Sequence, residues 1–111
     1  MTPQPNPKRD ERIRVRVDAD IADLIPGFLE DRQRDITAML EAVEEHHYET
    51  VRLLGHRMKG CGGSYGFDAI TEIGGALEQA ANDKNSEKIR HWVGELASYL
   101  DRVDVVYDSG T

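Results

Sequence analysis

Apolar residues recur at steps of three and four through most of this chain, the spacing that gathers side chains on one face of an α-helix. Ile21, Leu24, Ile25, Phe28 and Leu29 open the pattern, and Ile36, Met39, Leu40 and Val43 carry it on. A second stripe is Val51, Leu54, Met58, Cys61 and Tyr65; a third is Ile70, Ile73 and Leu77; a fourth is Ile89, Trp92, Val93, Leu96, Leu100 and Val103. Asp18 and Asp20 are good N-caps for the first stripe. Pro26 and Gly27 interrupt it, because proline disfavours helical geometry in the residue before it, so a short turn is expected ahead of a longer helix ending near His46. The other helices are expected over His47 to Ser64, Asp68 to Asn82 and Ser86 to Val106, with Gly66 and the Asn82-Asp83-Lys84-Asn85 cluster supplying turns. Such short connections make successive helices antiparallel neighbours. The expected fold class is all-α, an antiparallel four-helix bundle with a short N-terminal helix or arm.

A chain of 111 residues fits one domain. Residues 1–17 are expected to be a flexible or extended arm, 18–108 the bundle, and 109–111 a tail. Pro3, Pro5 and Pro7 keep the first residues out of any helix. Ile13, Val15 and Val17 alternate with charged residues, which is a strand period with no partner strand in view. That segment is expected to lie on the bundle or to pair in a dimer. The formal net charge of -7 argues against a protein that neutralises nucleic-acid phosphates. The N-terminus has no apolar signal core, and no apolar run approaches the roughly 18 residues a bilayer span needs. A cytoplasmic, membrane-free location and a complete short protein starting at Met1 are therefore expected. Cys61 is the single cysteine, which excludes an internal disulfide or a thiol-rich metal cage and suggests a small buried side chain.

The chemically informative stretch is LGHRMKGCGGSYG, residues 54–66. With Val51, Leu54, Met58, Cys61 and Tyr65 directed inward, His56 points almost directly opposite. Arg52, Lys59, Gly60 and Gly63 cluster around the histidine's direction. Glycine in a helix costs roughly 1 kcal/mol relative to alanine, so Gly55, Gly60, Gly62 and Gly63 call for a compensating role. Missing side chains beside His56 would open room for a phosphoryl group or for another protein's active site. Lys59 is placed to offset a phosphate's charge. Neutral imidazole, with an ordinary pKa of roughly 6.5, is a nucleophile near neutral pH. A hydrogen-bond acceptor at Nδ1 would fix the tautomer and leave Nε2 free. Glu78, beside the core residue Leu77, is the best candidate for that acceptor.

His56, Met58-Lys59-Gly60, Tyr65-Gly66 and Leu77-Glu78 together resemble the histidine-containing phosphotransfer (HPt) domain family over nearly all of the chain after residue 18. The resemblance implies a phosphocarrier with no kinase activity or ATP site of its own, phosphorylated at Nε2 of His56. It implies exchange with a histidine kinase, or a hybrid kinase, and with the receiver-domain aspartate of a response regulator, in two-component phosphorelay signalling. By the same likeness Lys59 would contact the phosphate, Gly60 would give access, Gly66 would close the turn and Glu78 would bond Nδ1. No cofactor is implied for this chain, with Mg2+ expected only on the partner receiver domain. Cys61 and Gly62 depart from the serine or alanine usual there, and the arm at Ile13 to Val17 is not part of the family pattern.

Other constellations carry less. His46 and His47 with Glu44 and Glu45 diverge by about 100° per residue and cannot easily share an ion. His91 and Glu95 offer two ligands and no closed site. Met39, Met58, Trp92 and Tyr99 read as core or core-edge packing. The rival function is an adaptor that binds a partner without phosphorylation, with a metal-dependent enzyme a distant third. The protein is expected to be a monomer.

Overall fold

A computed structural model describes residues 11–108. The expectations for residues 1–10 and 109–111, the proline-rich lead and the tail, lie outside the described residues. The chain runs through strand β1 (Ile13–Asp18), a 3-10 turn (Ala19–Leu24), helices α1 (Ile25–Glu44) and α2 (Tyr48–Cys61), a second 3-10 turn (Gly63–Tyr65), helices α3 (Asp68–Asn82) and α4 (Ser86–Arg102), and strand β2 (Val103–Asp108). The four helices form the antiparallel bundle that the apolar stripes predict.

Pro26 starts the long helix rather than kinking it, since it occupies the first turn of α1, where a missing N–H goes unnoticed. Asp18 caps the preceding 3-10 turn by accepting from the Asp20 N–H at 2.9 Å. Asn85 caps α4 in the same way, accepting from the Lys88 N–H at 3.1 Å. Gly66 takes a left-handed φ of 91°, which lets the chain reverse between α2 and α3. The next residue, Phe67, is fully buried and stacks 5.4 Å from Phe28, whose ring also meets Tyr65 at 4.6 Å.

The core is continuous: Met39 and Val43 from α1, Val51 and Met58 from α2, Ile70 and Leu77 from α3, and Ile89 and Leu96 from α4 are all sealed from solvent. Leu54, Cys61, Tyr65, Trp92 and Leu100 sit at its edge. The Cys61 thiol is therefore half-buried rather than enclosed, with its Sγ accepting from Arg32 Nη1 at 3.5 Å.

Three further expectations need correction. Helix α2 stops at Cys61, short of Ser64, because residues 63–65 tighten into a 3-10 turn. Helix α4 stops at Arg102, not Val106, and Val103 turns extended with φ -67° and ψ 134°. The alternating segment Ile13 to Val17 is not a lone strand: β1 pairs in parallel with β2, Ile13 opposite Val103 through Asp18 opposite Asp108. β-Branched residues on both strands favour this pairing. Val17 is buried on the inner face, and Arg12 Nη1 ties the strands' start to the carbonyl of Asp101 at 2.8 Å. No helix among the described residues is long and apolar enough to cross a membrane.

Candidate functional site

Helices α2 and α3 make the closest approach in the bundle, and glycine is the reason. A Cβ on Gly55 would lie 2.8 Å from both the Glu78 nitrogen and the Gly74 oxygen. One on Gly74 would lie 2.5 Å from the Lys59 nitrogen and 2.7 Å from the Gly55 oxygen. Neither position has room for a side chain, so the two backbones run in contact where Gly55 faces Gly74. That contact sets the distance across which side chains on the exposed rim can meet.

Just outside the glycine seam, His56 and Glu78 do meet. His56 follows Gly55 on α2 and leaves its side chain 65% exposed, while Glu78 follows Leu77 on α3 and is 17% exposed. Glu78 Oε2 lies 2.9 Å from His56 Nδ1, and its other oxygen lies 3.4 Å from Lys59 Nζ. The hydrogen bond from His56, and then that from Lys59 and its charge, hold the Glu78 carboxyl below the usual carboxylate range against a partial desolvation. An ionised carboxylate only accepts hydrogen bonds, so Nδ1 carries the ring proton in the neutral imidazole. The Nε2 lone pair is left free on the solvent side. Lys59 is 56% exposed on the same face.

The glycines divide into two groups, which corrects the expectation that all four clear space around the ring. Gly60 is open, with no atom within 4 Å of where its Cβ would stand. Gly55 and Gly62 are instead closed against α3: a Cβ on Gly62 would meet the Thr71 nitrogen at 2.6 Å and the Phe67 oxygen at 2.9 Å. Gly63 lies in ordinary contact with Asp68 and Thr71, and its N–H donates to Thr71 Oγ1 at 2.7 Å. It anchors the helix end and is no part of the ring's surroundings. Gly74 carries no signal in the apolar period, because α3 buries the small residues Ala80 and Ala81 as well as Ile70, Ile73 and Leu77.

Arg52 lies on the His56 side of α2 as expected, but its guanidinium is held by Glu49 through Nε at 3.0 Å and Nη2 at 2.5 Å. The remaining histidines serve local contacts. His46 Nδ1 lies 3.1 Å from the Tyr48 hydroxyl, His47 Nδ1 lies 3.4 Å from Glu45 Oε2, and His91 packs edge-on to Trp92.

An exposed imidazole with a locked tautomer, a free Nε2 and an ammonium beside it is a nucleophile open to another protein. A family model described as Hpt domain matches residues 23–105. The chain belongs to the Hpt domain family. No curated protein and no solved structure gives a significant match. Hpt domains are phosphocarriers rather than kinases and act in histidine phosphotransfer within phosphorelay signalling. The match begins after β1 and ends within β2.

Proposed function

We propose that His56 is the phosphocarrier of this Hpt domain, relaying a phosphoryl group between a histidine kinase or receiver-domain aspartate and another receiver-domain aspartate. The single observation that carries this is the Glu78 carboxylate on Nδ1, which turns a surface histidine into one with a defined nucleophilic nitrogen. Nε2 attacks the phosphorus of the partner's aspartyl phosphate; the N–P bond forms, the P–O bond to the aspartate breaks, and the carboxylate leaves with the bonding pair. The ring becomes cationic while Nδ1 keeps its proton, and the Glu78 carboxylate 2.9 Å away stabilises that charge. Return to an aspartate reverses the same bonds.

Lys59 is the group that offsets the phosphoryl charge, since its ammonium shares the face of the ring and needs only a small swing from Glu78. Gly60, open to solvent one turn further along, is where the partner's active-site loops pass. The phosphate comes from the partner, so the bundle needs no nucleotide site, and the Mg2+ that assists transfer belongs to the receiver domain. This relay role fits a cytoplasmic monomer.

Incubation with a receiver domain charged by acetyl phosphate tests the proposal. The chain should gain one acid-labile, base-stable phosphate, mass spectrometry should place it on His56, and His56→Gln should abolish it. Undiminished labelling of the His56→Gln variant would remove His56 from the role.

A further inference from the structure

If His56 is the phosphocarrier, we further propose that Arg52 and Lys84 form a cationic docking contact for an acidic segment of the partner receiver domain, with Glu49 as the internal competitor for Arg52.

Charge is unevenly shared among the helices. Helix α2 carries Arg52, Arg57 and Lys59 against Glu49 alone. Helix α1 sets Arg32 and Arg34 against Glu30, Asp31, Asp35, Glu41 and Glu44, and α3 has Asp68, Glu72 and Glu78 with no cation. Acids and bases balance in α4. A chain of net charge -7 thus places the one cationic helix among the described residues under His56. Arg52, His56 and Lys59, at steps of four and three, share a face of that helix.

The cationic face continues past the histidine into an open recess of about 560 Å³, lined by His46, Tyr48, Glu49, Arg52, Asn82 and Lys84 among others. Arg52 stands one turn before His56, and Asn82 one turn beyond Glu78. The recess is therefore the continuation of the groove between α2 and α3 in which the His56–Glu78 bond lies. A partner positioned over Nε2 reaches the recess without leaving this groove.

Arg52 presents a guanidinium already oriented by a two-pronged pair with Glu49, whose side chain is 70% exposed. Water competes with such a surface pair, so a partner carboxylate can replace Glu49 with the same two-pronged geometry. Arg52 also feels the Glu78 carboxylate, which ties the recess to the site electrostatically. A pair that merely staples a turn of α2 would weaken the helix equally whichever partner were removed. A docking contact gives opposite signs: losing Arg52 weakens association, while losing Glu49 frees Arg52 for the partner.

Acetyl-phosphate-charged receiver domains are screened for transfer to His56, and the one that transfers is used for steady-state measurement across salt. Direct labelling of His56 by phosphoramidate, which involves no docked protein, is the reference reaction. Arg52→Gln and Lys84→Gln should each raise KM for the charged receiver by about three- to tenfold at low salt, with the change in KM rather than kcat. Glu49→Gln should lower KM. All three differences should shrink at about 1 M salt, where the screening length is about 3 Å. An unchanged KM in both the Arg52 and Lys84 variants, or a raised KM in Glu49→Gln, overturns the docking contact. Failure of phosphoramidate to label His56 in the unaltered chain overturns instead the phosphocarrier role, and the docking contact with it.

Discussion

Gly55 and Gly60 sit on the same helix, separated by little more than one turn, and do opposite work. Gly55 lies against α3 with backbone atoms where its side chain would be, and Gly60 faces open solvent. The first draws two helices together until Glu78 reaches the His56 ring; the second leaves the ring approachable from outside. A glycine-rich helix around a reactive residue therefore need not be uniformly open. Half of it can be the seam that builds the site.

The sharpest way to break that comparison is Gly74→Ala, which drives a methyl into the Lys59 and Gly55 backbones. Overpacking of this kind is expected to cost about 3 kcal/mol, a fall in melting temperature of roughly 10 °C by calorimetry. It should also separate the histidine from its carboxylate, seen as loss of the Nδ1 proton signal by NMR. If Gly74→Ala is as stable as the parent chain, the seam does not exist.

On the open side, Gly60→Trp is expected to leave the fold intact while strongly slowing transfer from a charged receiver, because the indole stands where the partner must pass. Normal binding would contradict the access role. The smaller change Gly60→Ala should raise stability by about 0.5–1 kcal/mol in denaturant titration, since alanine fits a helix better and meets nothing there. The sign alone separates it from Gly74→Ala. Lys59→Ala should alter stability by less than about 0.5 kcal/mol while slowing transfer, as befits an exposed side chain; a large loss of thermal stability would put Lys59 in the seam instead.

The smallest effect is in pH. Because the Glu78 carboxyl is held below its ordinary value, its stabilising contribution is present above about pH 4.3 and is lost as pH falls through the lowered value. A carboxyl chemical-shift titration should place Glu78 below the ordinary glutamate value of about 4.3. An ordinary or raised value would mean that the hydrogen bond to His56 does not form in solution.

Much of this was legible in the residues. The stripe from Val51 to Tyr65 directs His56 outward, and Leu77 in the core puts Glu78 at its edge, so both ends of the central hydrogen bond follow from helical period. Gly66 announced its turn, and Pro26 announced the start of the long helix, although as its first turn rather than a break. What stayed hidden depended on contacts between distant segments. Gly74 reads as a weak spot in a helix until another backbone is seen against it. Val103 fits the apolar stripe of α4 and the alternation of a strand equally well, and only the presence of Ile13, Val15 and Val17 alongside selects the strand.

The amino-acid order by itself determined which way each side chain points around its own helix, and with it the buried stripes, the exposed imidazole and the cation one turn away. Tertiary structure alone decided how near two helices come, which glycines are sealed and which stay open, and that β1 and β2 zip into a parallel ribbon. The physical reason is that periodicity is a property of one axis, whereas separation and strand pairing are settled between segments that share no local signal.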